Sequence, residues 1–262
     1  MSEVKYFDDF SLGGIRLSSF SGIRYNPDGD GIKYDSTPDP VHTTIDLPNV
    51  HGKYHYKTVY DERIITIPVY IYDEIDIDKF KSWINSCEEQ VFYYCSQDGS
   101  VDYKEIDVVY NKGLDLTSYW TPSFRGFATL EFVAHYPLWR VRDEDKNVIT
   151  NPTIGKTYPV ITKTNIKSKP LIKVTPNGTQ TISLSFNELI MTLTGVSQPI
   201  YIDSFNGEVY TVNNGIRENA FSKFYSNGWY EMPIIKPFEI NHIKVASGSV
   251  SEIIITPNSR II

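Results

Sequence analysis

The sequence predicts a mainly β protein of two domains, the first with a single helix among its strands and the second a β-sandwich. Three observations predict it. Aromatic residues make up 14% of the 262-residue chain, with 19 Tyr and 13 Phe beside many Val, Ile and Thr, and such side chains fit a pleated, half-buried surface. Short apolar runs recur between turn residues, and Asn206-Gly207, set between β-branched and aromatic runs, is the strongest short hairpin signal among them. The charge is also uneven. Residues 1–140 hold 13 Lys and Arg against 22 Asp and Glu, a net −9, whereas residues 141–262 hold 12 against 10, a net +2. Two domains with different surroundings account for that asymmetry.

The first domain, residues 1–140, opens with strand, turn and strand over Phe7–Phe20, the turn being Gly13-Gly14. Residues 26–41 are rich in Pro, Asp and Gly and read as a solvated loop. Asp28–Gly31 within it lacks the alternate oxygen ligands and the closing Glu of a calcium loop. His42–Pro48 and Lys57–Ile71 read as strands. One helix is expected over Asp76–Ser86, capped by an Asp, with Ile77, Phe80, Trp83 and Ile84 on one face. Phe92–Ser96, Val101–Asn111 and Phe124–His135 return to strands, the last alternating from Phe127 onwards. Tyr136–Arg140 ends the domain before a charged stretch, Arg142–Lys146.

The second domain, residues 141–262, restarts with turn residues at Asn151–Gly155. Short strands are expected over Lys169–Pro176, Thr179–Phe186, Leu189–Thr194 and Ile200–Asp203, punctuated by Asn177-Gly178, Asn187-Glu188 and Gly195. A second hairpin signal covers Trp229–Val245, with Ile240, Ile243 and Val245 as its half-buried positions, and leads into Val250–Arg260. Regular short strands of this kind describe a β-sandwich.

Signals for catalysis or ligand chemistry are weak throughout. No stretch reaches the roughly eighteen consecutive apolar residues of a membrane-spanning helix. The N-terminus lacks the basic and apolar regions of a secretory signal. Cys87 and Cys95 read as reduced thiols rather than a disulfide. His51 and His55 have zinc-pair spacing, but the Glu after the first His is missing and Gly52 intervenes. There is no Gly-x-Ser-x-Gly elbow, phosphate loop or Cys-x-x-Cys. The carboxylates Asp73, Glu74, Asp76 and Asp78, and the pair Glu88 and Glu89, flank or cap the helix. No catalytic residue, metal site or cofactor is therefore expected, and the chain is not read as an enzyme. An acidic first half without a basic run also argues against nucleic-acid binding, which rests on phosphate neutralisation. The abundance of Tyr suits protein–protein contacts as well as strands. Tyr225, Trp229 and Tyr230 are the candidate contact residues, for a partner protein or a carbohydrate, where they do not simply pack in the core.

Taken in order, the pieces resemble the distal tail proteins of bacteriophages with long non-contractile tails, the tail-hub family of phages infecting Gram-positive hosts. Phe10–Leu17 is similar to that family's opening strands. Leu47–Gly52 stands where the family has a Pro-Gly-Arg-like turn, with the Arg replaced here. Gly126–Trp139 is similar to the strand closing the first domain, and Asn151–Pro159 to the start of the second. Pro199–Asp203, Gly207–Tyr210, Met232-Pro233, Asn241–Lys244 and Val250–Arg260 follow the family's closing pattern.

The resemblance implies that residues 1–140 form a β-structured belt domain assembling into a homohexameric ring that continues the tail tube. Residues 141–262 would be a galectin-like β-sandwich. The implied partners are other copies of the chain, the tail tube protein, a tail-associated tip or lysin protein and a receptor-binding or fibre protein. DNA would pass through the channel without specific binding, and nothing would insert into a membrane. The protein would be made and assembled in the host cytoplasm and reside at the virion tail tip. Galectin sugar sites use a cluster of His, Asn, Arg and Trp. Asn241 and His242 are adjacent here without a matching Asn-x-Arg, so the sandwich is expected to serve as a docking platform. Two rival readings are a carbohydrate-binding module centred on Trp229 and Tyr230, and a carbohydrate-active enzyme with opposed carboxylates.

Overall fold

The computed structural model describes residues 7–26, 37–46, 53–73, 75–85, 88–112, 126–226 and 230–262. These are overwhelmingly strands, with one α-helix among them, so the mainly β reading holds. They fall into two compact units, Asp143–Ile261 forming the second and the residues up to Arg142, with Ile262, the first.

The first unit contains β1 (Asp9–Leu12), β2 (Ile15–Arg16), β3 (Ile23–Tyr25), β4 (Pro40–Asp46), β5 (Lys53–Tyr60), β6 (Arg63–Ile71), α1 (Ile77–Ile84), β7 (Gln90–Cys95), β8 (Lys104–Tyr110), β9 (Gly126–Ala134) and β10 (Trp139–Val141). One antiparallel sheet runs in the order β2-β1-β7-β8-β9-β6-β3, and β10 joins it along β8. Its longest ladder pairs Arg63 with Ala134 through to Ile71 with Gly126. Period-two alternation sets the faces: Ile65, Ile67 and Val69 of β6 and Ala128, Leu130 and Phe132 of β9 point into the core.

The helix forms where the sequence places it. The Asp76 carboxylate accepts from the Lys79 amide at 3.0 Å, an N-cap that satisfies one of the orphan donors. Phe80, Trp83 and Ile84 are buried. Trp83 stacks on Phe10 at 5.8 Å and on Phe20 at 4.8 Å, and its indole N–H donates to the Leu12 carbonyl at 3.0 Å. Phe10 in turn meets Phe92 at 5.5 Å and Phe132 at 6.1 Å. An aromatic chain thus ties α1 to three strands.

The strand expected over Lys57–Ile71 is two strands, β5 and β6, broken at Asp61-Glu62. The Asp61 amide donates to the Asp39 carbonyl at 2.9 Å, which closes β4 and β5 into a hairpin of their own. Among the described residues that hairpin pairs with no other strand. Asp28–Gly31, His51 and Cys87 lie outside the described residues.

Cys95 is fully buried and free. Burial, together with the nearby Asp9 carboxylate, pushes its thiol from 9.0 up to about 12. Between those two values the unfolded chain has lost a proton that the folded chain keeps, so this group's contribution to stability is full below about 9 and declines as pH rises towards about 12. In a Cys87→Ser background, Cys95 is expected to resist a thiol reagent at about pH 8 until the first unit unfolds. Native labelling within about tenfold of the rate in denaturant would contradict this.

The second unit contains β11 (Asn147–Thr150), β12 (Thr157–Val160), β13 (Leu171–Pro176), β14 (Gln180–Phe186), β15 (Leu189–Val196), β16 (Ile200–Asp203), β17 (Glu208–Asn213), β18 (Ile216–Asn219), β19 (Phe224–Ser226), β20 (Asn241–Ser247), β21 (Val250–Thr256) and β22 (Arg260–Ile261). Two antiparallel sheets, β11-β21-β13-β16-β17-β18 and β12-β20-β14-β15-β19, make the sandwich. Ile172, Val174, Ile200, Ile202, Ile253 and Ile255 from one sheet meet Ile182, Leu184, Phe186, Met191, Leu193, Ile243 and Val245 from the other in a single buried cluster. Each such side chain stabilises the fold by about 1.5–3 kcal/mol relative to exposure. The β20–β21 turn requires glycine at Gly248, where φ is +87° and an added Cβ would lie 2.8 Å from the Thr181 carbonyl oxygen.

Two turns differ in detail from the sequence reading. The Asn206-Gly207 hairpin is present, but Asp203 pairs with Glu208, so the loop spans Ser204–Gly207. Its anchor is the Asp203 carboxylate, which accepts from the amides of Phe205 and Asn206 at 3.1 Å each. The second expected hairpin strand starts only at Asn241. Ile235 makes an isolated bridge with Ser168, and Ile240 is 83% exposed. Its even register sets it out of phase with Ile243 and Val245, which face the core.

Candidate interaction surfaces

Tyr225 lies on β19, the edge strand of its sheet. Its neighbours Phe224 and Ser226 point into the core, which turns Tyr225 outward and leaves it 58% exposed. Tyr230 is 51% exposed and holds a left-handed φ of 62°. The two rings meet edge to face, with centroids 6.2 Å apart and planes at 80°. Tyr230 also packs on Phe221 at 5.3 Å, and Phe221 on the core residue Phe224 at 6.0 Å. The structure thus brings two of the three candidate residues together at a sheet edge, backed by the core. Trp229 lies outside the described residues.

A second apolar surface went unread in the sequence. Phe238 is 89% exposed, Ile240 83% and Ile161 77%. Ile161 follows β12 and Ile240 precedes β20, one step beyond the last cross-strand pair, Val160 with Asn241, so the two are neighbours. Buried Asn241 fixes the loop that carries Phe238. Its Oδ1 accepts from the Lys236 amide at 2.8 Å and from Asn187 Nδ2 at 2.9 Å, and its Nδ2 donates to the carbonyls of Lys236 at 2.8 Å and Glu239 at 3.2 Å. Phe238 itself has a φ of 59°, unfavourable for a bulky residue. A large apolar side chain held in water by an ordered loop is a feature of contact surfaces. The detectable signal was the phase of Ile240 against Ile243 and Val245, between the breaks at Pro233 and Pro237.

In the first unit, Tyr70, Tyr72 and Phe127 form an aromatic strip on the outer side of β6 and β9. Tyr70 meets Phe127 at 4.9 Å, and the Arg24 guanidinium sits 5.5 Å from the Tyr70 ring and 5.9 Å from Tyr72. Phe127 is 54% exposed. The ionisable groups nearer the core are occupied structurally. Asp9 accepts from the Ser18 hydroxyl at 2.6 Å and from the Phe10 amide at 2.8 Å. Arg140 bridges Glu105 and Asp107; burial alone would lower its pKa, but the two carboxylates outweigh that and raise it. Among the described residues no group of three or more His, Cys, Asp or Glu could hold a metal ion, and no helix is long and apolar enough to cross a membrane.

No protein-family model and no curated protein matches the sequence. Solved structures do. The Dit protein of phage SPP1, described as a paradigm of the hub adsorption apparatus in phages infecting Gram-positive bacteria, is similar over 98% of this chain and 100% of its own, with a TM-score of 0.66 and 10% sequence identity. Two structures of the phage p2 baseplate in its activated conformation, with strontium and with calcium, also match at 10% identity. The first has a TM-score of 0.47, covering 95% of this chain and 97% of the other, and the second 0.45, covering 89% of each. The chain has the fold of SPP1 Dit, a β-rich phage tail-hub fold, so the resemblance read from the sequence holds at the level of fold.

Proposed function

We propose that the chain is a structural subunit of a phage tail hub. In this reading six copies close into a ring that joins the tail tube to the tip or baseplate, and the ring anchors receptor-binding or fibre proteins. The observation that carries it is the match to SPP1 Dit along essentially the whole of both chains. The first unit would supply the ring and the galectin-like second unit the outward docking platform. Ring contacts would be heterologous and close on six-fold symmetry. The excess of acidic residues in the first half favours a channel through which DNA slides without sticking. The work is adhesion rather than catalysis, and its place is the virion tail tip.

Negative-stain electron microscopy of the purified protein, alone and mixed with the tail tube and tip proteins, tests the proposal. Six-fold rings with a central channel are expected. A monomer that persists in every mixture would overturn it. The exposed Tyr225 and Tyr230 pair favours one second reading, glycan contact by the sandwich. A glycan array probed with the full chain and with a Tyr225→Ala/Tyr230→Ala variant decides that, and binding lost in the variant would support it.

A further inference from the structure

We propose that Asn214, at the tip of the β17–β18 hairpin, is a site of spontaneous covalent modification, its carboxamide being converted to aspartate and isoaspartate. The chemistry is open to any Asn-Gly pair, because a glycine has no side chain to shield its backbone nitrogen from the preceding carboxamide. Three such pairs lie among the described residues: Asn177-Gly178, Asn206-Gly207 and Asn214-Gly215. In an unfolded chain they are alike, so the fold decides between them.

Asn206 is tethered by Asp203. Its Nδ2 donates to Asp203 Oδ2 at 2.8 Å and its backbone amide to Oδ1 at 3.1 Å. Asn177 is held by Ser249, its Nδ2 donating to the hydroxyl at 3.2 Å and its amide to the carbonyl at 3.0 Å. Either side chain must break its bond before it can swing onto the glycine nitrogen. Among the described residues the Asn214 side chain has no hydrogen-bond partner. Asn213 pairs with Ile216, so Asn214-Gly215 is the whole loop, exposed, with φ of 48° and 81° as a type I′ turn requires.

The reaction needs only water. Solvent base takes the Gly215 amide proton, the nitrogen bonds to Asn214 Cγ, and the Cγ–Nδ2 bond breaks with release of ammonia. Water then opens the resulting succinimide at either carbonyl, giving aspartate or isoaspartate. Isoaspartate puts a side-chain carbon into the main chain of a loop with no slack. β18 ends its sheet, pairs only with β17 among the described residues, and is exposed throughout. Its release would lift Arg217 from the Tyr210 ring, 4.6 Å away, and bare the β17 edge.

The test is to age the full chain, folded and in urea, in mildly alkaline buffer and to map its peptides by mass spectrometry. Folded, Asn214 is expected to convert about tenfold or more faster than Asn177 or Asn206; in urea the three rates should converge. Hydrogen exchange on the aged protein should show β18 amides losing protection while those of β13 keep theirs. Asp203→Ala, with its fold checked by near-ultraviolet dichroism, should bring Asn206 up towards the rate of Asn214. Conversion of folded Asn177 or Asn206 as fast as Asn214 would overturn the proposal. So would an Asn214 that stays intact in the folded chain while the chain in urea converts.

Discussion

Trp83→Ala is expected to destabilise the first unit by about 3–5 kcal/mol, the usual cost of removing a large aromatic from a packed core. Three separate losses combine. The ring leaves a void between Phe10 at 5.8 Å and Phe20 at 4.8 Å. The Leu12 carbonyl loses the indole donor now 3.0 Å away. The helix loses the side chain that ties it to β1, because Phe80 and Ile84 on the same short helix cannot reach that carbonyl. Trp83→Phe separates these contributions: it keeps a ring in the stack but removes the indole donor to the Leu12 carbonyl, and is expected to cost about 1–3 kcal/mol. Urea unfolding followed by near-ultraviolet dichroism measures both, and the sandwich transition should stay at its wild-type midpoint. A loss under about 1 kcal/mol for Trp83→Ala would mean that α1 is an ornament on the sheet rather than part of its core.

The same residue shows how much of this protein was legible in its sequence. The Asp76 cap and the spacing of Phe80, Trp83 and Ile84 are local, so the helix could be read directly. Its partner could not, because Leu12 is seventy-one residues away and nothing in a strand's own sequence says which helix will cover it. Strand existence was likewise local and largely readable. The break at Asp61-Glu62 was not, because β5 and β6 are both rich in branched and aromatic residues and only their different pairing partners separate them. The contact surfaces were the least legible. Tyr225 and Tyr230 were singled out on residue type, whereas Ile240 was expected at a half-buried position until the register of β20 placed it outside the core, and Phe238 was not singled out. Apolar residues selected for binding a partner carry the same signature as those selected for folding.

Asn241→Ala is expected to lower the stability of the second unit by about 2–3 kcal/mol, since several polar groups lose their partners at once in a poorly hydrated site. The amide of Lys236, the carbonyls of Lys236 and Glu239 and the side chain of Asn187 all converge on this one residue. Asn241 therefore also holds the backbone from which Phe238 stands 89% exposed. Hydrogen exchange should show the Lys236 amide losing protection in the variant while amides of β13 and β14 keep theirs. Phe238→Ser separates the two roles. It removes an exposed ring from a left-handed backbone position, so its effect on stability should fall within about 0.5 kcal/mol. If this end of the sandwich docks a partner, binding to it should nevertheless fall by about tenfold or more. If Phe238→Ser instead destabilised the fold as much as Asn241→Ala, the ring would be part of the sandwich's own packing, and the exposed end of β20 would have to be discarded as a docking surface.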